Sequence, residues 1–155
     1  MEDWGLLREP LLYLSLFFKR RRAEYYRRLS AVRAEGDWEG WTDFFLEGVA
    51  TIAEEAVASA RDLFQLVSKD RDRVLTSERA SVMAARLLEA LPSNPMVTIP
   101  RAVDLFDTTK PTASKAVSVL EEIGILKETT GRQRDRVFTY KSYLELLKTE
   151  TEPLD

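Results

Sequence analysis

Apolar positions along the chain fall into helical stripes before they fall into anything else. Leu11, Leu14, Phe18, Tyr25, Leu29 and Val32 recur at helical spacing, with Phe17 and Tyr26 widening the face. Pro10 suits the first turn of this helix, and Glu35-Gly36-Asp37 stops it. A second stripe, Phe45, Val49, Ile52, Ala56, Ala60, Leu63 and Val67, predicts a long helix from about Thr42 to Val67. The two helices should pair antiparallel, joined by a loop carrying Trp38 and Trp41 as packing anchors. The charged segment Ser68–Ser77 follows, itself compatible with helix. Val82, Ala85, Leu88 and Leu91 then predict a helix over Glu78–Leu91, which Pro92-Ser93-Asn94-Pro95 ends.

The stretch Val97–Leu126 is the most informative. Thr98 can cap a short helix opened by Pro100, and Asp107-Thr108 interrupt it. Thr109 can cap a second helix starting at Lys110-Pro111, whose apolar face is Ala113, Ala116, Val117, Leu120 and Ile123. Gly124 suits its C-terminal stop. Ile125–Thr129 and Arg136–Tyr140 read as two strands of a hairpin with Gly131–Asp135 at the tip. Ser142–Lys148 predicts a last short helix, and Thr149–Asp155 reads as an acidic end. The division follows: residues 1–75 as a helical region, 76–149 as a helix-turn-helix with hairpin, and 150–155 as a tail. The expected class is mainly α, an α-helical hairpin followed by a helix-turn-helix with a small β-hairpin.

Composition narrows the chemistry. The chain has 155 residues, no cysteine and no histidine. Disulfides and thiolate metal sites are excluded, which suits a reducing, cytoplasmic setting. Imidazole-dependent catalysis is excluded for this chain alone. We expect no cofactor, no metal site and no catalytic residue. The apolar run Leu11–Phe18 lacks a basic lead and a small-residue cleavage site, and it is too short to span a bilayer. The run Lys19–Arg22 with Arg27 and Arg28 reads as a solvated face paired to acidic neighbours, the alternative being an anion-binding surface.

A net charge of −3 means that any nucleic-acid surface must be local. On the second helix of Val97–Leu126 the face away from the apolar stripe carries Lys110, Thr112, Ser114, Lys115 and Ser118. Such side chains are short enough to approach base edges and supply cations for phosphate. The hairpin tip carries Arg132, Gln133 and Arg134, with Arg136 just beyond, while Glu121 and Glu122 should lie away from the groove. The order of elements, and TASKAVSVLEEIGIL in particular, resembles the recognition helix and strand entry of bacterial winged helices. Asp107 stands where that turn commonly has glycine, and Thr108 where a buried aliphatic is common. The resemblance implies binding of double-stranded DNA, with a dimer reading two half-sites. The competing expectation is a winged helix used for protein interaction or dimerisation.

A second resemblance lies upstream. REPLLYLSLFFKRRRAEYYRRL followed by GDWEGWTDFFLEG resembles the helices that follow the catalytic motif in Fic-family proteins, where a winged helix is often appended. That family transfers AMP from ATP to protein hydroxyls through a loop written HPF-x-D-G-N-G-R. No such loop is present here, and Gly36, Gly40 and Gly48 are isolated. The resemblance therefore implies a C-terminal portion of a Fic protein, inactive alone as an AMP-transferase. It also implies that Trp4, Leu6, Leu7 and the first helix would pack on an upstream core, or satisfy their apolar surface by self-association.

Overall fold

The computed structural model describes residues 14–151, and side chains for residues 14–148. The expectations for Trp4, Leu6, Leu7 and Pro10, and for the end of the tail, lie outside the described residues. Packing divides the chain into two compact units, one reaching Ala60 and the other running from Arg61 to Glu150.

In the first unit the helix expected from Pro10 to about Val32 is two helices, α1 (Leu14–Arg20) and α2 (Arg22–Glu35), broken at Arg21 with φ −112° and ψ 39°. Neither proline nor glycine lies at the break. Four consecutive cations, Lys19–Arg22, stand there, and the backbone bonds from the Arg21 N–H to the Phe17 carbonyl and from the Tyr25 N–H to the Arg21 carbonyl continue across the break. Arg20 and Arg21 pair with Glu55 and Glu47 of the following helix. Gly36 ends α2 in the left-handed region at φ 71°.

Helix α3 runs Trp38–Thr76, longer at both ends than the apolar stripe predicted. The linking loop shrinks to Gly36-Asp37, because Asp37 Oδ1 accepts from the Gly40 N–H and caps the helix there. Both tryptophans therefore sit in the first turns of α3 rather than in a loop. Trp41 packs against Phe18 and Tyr25, but Trp38 is 66% exposed and meets no ring among the described residues. The core of this unit is Phe17, Phe44 and Ile52. Gly48 matters here, since a Cβ would stand 2.7 Å from the Phe17 ring. Tyr25 meets Trp41 near the start of α3 and Phe17 meets Gly48 further along, which is the antiparallel pairing expected.

The second unit takes the last turns of α3, where Val74 and Asp70 are buried. Helix α4 (Val82–Ala90) begins later than expected, because the Ser81 hydroxyl accepts from the Ala84 N–H and fixes the start. Its buried face is Ala84, Leu87 and Leu88, so Val82 points outward at 80% exposure. A short strand β1 (Met96–Val97) precedes α5 (Ile99–Phe106). The Thr98 hydroxyl accepts from the Arg101 N–H, and Asp107 closes α5 in the left-handed region at φ 46°, ψ 56°. Thr109 caps α6 (Lys110–Glu122) through the Thr112 N–H, and Gly124 follows at φ 74°.

After α6, β2 (Lys127–Glu128) and β3 (Phe138–Thr139) form the hairpin. β3 also pairs antiparallel with β1, giving sheet order β1-β3-β2. Helix α7 (Lys141–Thr151) ends the described chain. The fold is mainly helical with one small antiparallel sheet. Leu87, Leu88, Val117, Leu120, Phe138 and Tyr140 fill its core; α6 buries the expected Ala113, Ala116, Val117 and Leu120 and also Val119, while Ile123 is half-buried at its C-cap. Burying apolar area at roughly 25 cal/mol per Å² makes this interior the main source of its stability.

Candidate nucleic-acid interface

Two capped helices and a hairpin position the side chains in question. The turn between α5 and α6 is fixed by left-handed Asp107 and by the Thr109 cap. The buried Ala113, Ala116 and Leu120 hold α6 against the core and set which face is outward. Lys110, Thr112 and Lys115 are exposed on that outward face, and Ser114 and Ser118 are half-buried. The Thr112 hydroxyl is 2.9 Å from that of Thr109, so it belongs to the cap as well as to the surface.

The hairpin tip is organised by Glu128, a residue that sequence reasoning passed over. Its carboxylate accepts from the Thr130 N–H at 2.7 Å, from the Thr130 hydroxyl, and from the Gly131 N–H. These hydrogen bonds, the Thr130 hydroxyl's first, hold its carboxyl below the usual carboxylate range. Gly131 and Asp135 take positive φ at the two ends of the tip, 64° and 53°. A carboxylate two and three residues before a Thr-Gly turn was the available clue.

The side chains singled out by sequence are not gathered in one place. Lys110, Gln133, Arg134 and Arg136 line one groove of ≈ 450 Å³ between the starts of α5 and α6 and the hairpin. Ile99 and Pro100 complete its wall, together with Asp135. Lys115 and Ser118 instead face the turn before α4, beside Arg79 and Glu122. Arg132 is exposed on the tip outside the groove.

Arg136 is not a free cation at the tip. It lies over the Phe138 ring at 4.9 Å and stands 3.6 Å from Glu121. Glu121 is therefore engaged with the hairpin through Arg136, without lining the groove itself. Arg79, unremarked in the sequence, reaches both carboxylate oxygens of Glu122 at 2.7 Å. Lys110, Lys115 and Arg134 carry no such partner among the described residues, which leaves their charge available to an anion.

The basic run of the first unit behaves differently. Arg20 and Arg21 pair across to α3, and Arg27 and Arg28 both bind Glu24. Those two guanidinium groups hold the Glu24 carboxyl at about 2. Most of that run is thus spent on intramolecular pairing, as its acidic neighbours suggested.

No helix among the described residues is long and apolar enough to cross a membrane. No group of three or more carboxylates among them could hold a metal ion. The chain matches no protein-family model.

Proposed function

We propose that residues 76–149 are a winged helix that binds double-stranded DNA and serves transcriptional regulation. In this reading α6 is the recognition helix and the β2–β3 hairpin is the wing. The observation that carries the reading is the groove in which Lys110 of α6 meets Gln133 and Arg134 of the hairpin. A duplex entering along α6 would place its backbone against the tip, where Arg134, with no ion-pair partner among the described residues, neutralises phosphate. Thr112, Ser114, Lys115 and Ser118 face base edges or flank them, and Arg132 extends the wing. Further support comes from the order α4, β1, α5, α6, β2, β3, with β3 in the centre of the sheet.

The upstream helices support a companion proposal, that the chain is the C-terminal portion of a Fic-family protein. That rests on the sequence resemblance of α1, α2 and the start of α3, and no AMP transfer by this chain is proposed, since it has no histidine.

Fluorescence anisotropy of a labelled mixed-sequence duplex, titrated with the full chain at low salt, tests the DNA reading. Saturable binding that weakens steeply with salt is expected. No binding at low salt would overturn it in favour of a protein-interaction module.

A further inference from the structure

A hollow of ≈ 360 Å³ opens between the end of α4, the loop after it, β1 and α5. It lies wholly inside the second unit and shares no residue with the groove of Lys110 and Arg134. Its volume falls within the roughly 300–1,000 Å³ of small-ligand sites. Pro92 and Pro95 end α4 and lead the chain into β1, and backbone bonds fix this loop. The Ser93 and Asn94 N–H groups donate to the carbonyls of Ala90 and Leu91, and the Tyr140 N–H donates to the Pro95 carbonyl at 2.8 Å. Core residues Leu87, Leu91 and Val97 floor the hollow. Met96 and Leu105 stand at its rim, 52% and 51% exposed, and large apolar side chains left in water beside an apolar floor mark a binding surface.

We propose that this hollow binds a small amphipathic monocarboxylic acid. The apolar body of the ligand lies on Leu87, Leu91 and Val97 between Met96 and Leu105, and Arg101 holds its carboxylate. Charge selects this occupant. The polar side chains lining the hollow are Arg101, Ser93 and Asn94, each with a hydrogen to donate, and no carboxylate lines it. The side chains of all three form no hydrogen bond or ion pair among the described residues. The acids nearest in sequence do not cancel the cation. Glu89 is held by Arg71 at 3.5 Å, and Asp104 neither lines the hollow nor pairs with Arg101 three residues before it on α5. A guanidinium free of partners is suited to a carboxylate, which it can grip with two parallel hydrogen bonds. Size favours a small molecule over a protein, since a stable interface needs about 800 Å² a side, far more than two half-exposed side chains offer. The inference stands independently of DNA binding.

Methyl chemical shifts of the full chain, titrated with octanoate, test this. The Leu91, Met96, Val97 and Leu105 methyls should shift saturably. Octylammonium, which lacks the anion, and butyrate, which lacks the apolar length, should leave them in place. Arg101→Glu, at an exposed position, should weaken octanoate by about tenfold or more and let octylammonium bind in its stead. Met96→Glu places a carboxylate at the rim and should abolish octanoate binding at unchanged circular dichroism. Equal shifts with octanoate and octylammonium would overturn the proposal by showing an unselective apolar patch. So would the absence of any shift with octanoate, as when the hollow receives a protein partner, or octanoate binding that Arg101→Glu leaves unaltered.

Discussion

Tyr140 donates its hydroxyl hydrogen to Asp70 Oδ2 at 2.7 Å, and both residues are buried. Asp70 also accepts from Arg73 at 2.6 Å, and Arg73 in turn donates to the carbonyl of Ile123 at the end of α6. One polar chain therefore joins the end of α3, the strand leaving the hairpin, and the end of the proposed recognition helix. Tyr140→Phe keeps the ring and removes the donor, leaving a buried carboxylate oxygen without its partner. The expected loss is about 1–3 kcal/mol, seen as a lower urea midpoint at unchanged slope.

The same pair makes an alkaline prediction. Burial first, then the hydrogen bond to Asp70 and its charge, push the Tyr140 hydroxyl well above the ordinary tyrosine value. Its contribution to stability is complete below the unfolded tyrosine pKa of about 10 and declines above it, because only the unfolded chain then loses that proton. The stability gap between wild type and Tyr140→Phe should hold from neutral pH to about 9 and shrink beyond 10. A gap that stays constant through pH 11 would contradict this.

Glu128 governs the hairpin tip in the opposite pH range. Its carboxyl is held low in the fold, so its contribution is present above the unfolded value of about 4.3 and lost as pH falls below it. Glu128→Gln should accelerate hydrogen exchange at the Thr130 and Gly131 amides while amides in α6 keep their protection. Equal acceleration throughout the second unit would mean that the side chain supports the whole fold instead.

Gly48 tests the packing of the first unit. Alanine there gains about 1 kcal/mol of helix propensity. Its methyl, however, would meet the Phe17 ring at 2.7 Å, and that ring is 3% exposed and already against Phe44. Overpacking of this kind costs about 1–3 kcal/mol. Gly48→Ala should lower the melting temperature and weaken the near-ultraviolet aromatic signal, whereas a higher melting temperature would show that Phe17 moves freely.

What was legible in the sequence was local chemistry. Thr98, Thr109, Asp107 and Gly124 were readable because a cap or a left-handed residue acts through its immediate neighbours. Strand β1 was not, since two residues cannot show alternation and Met96-Val97 is a strand only because β3 lies beside it. Nor was the break at Arg21, where periodicity continues through a run of cations whose acidic partners lie far along the chain. The α3 core is displaced by one position, Phe44 in place of Phe45 as the most buried ring, because Gly48 opens a space that a hydrophobic count ignores. At the candidate site the residue types were legible and their grouping was not. Lys110 meets Arg134 only through the hairpin's return, and Arg136 is drawn back by Glu121.

The central claim is that α6 and the hairpin hold DNA together, and salt dependence measures it most directly. Anisotropy titrations of wild type, Lys110→Ala and Arg134→Ala over a salt series give the slope of log K against log salt. Each phosphate contact removed should flatten that slope by about 0.9. The account predicts flatter slopes for both variants, one altering α6 and the other the hairpin, with the fold unchanged by circular dichroism. Wild-type slopes in both variants, with binding retained, would contradict it.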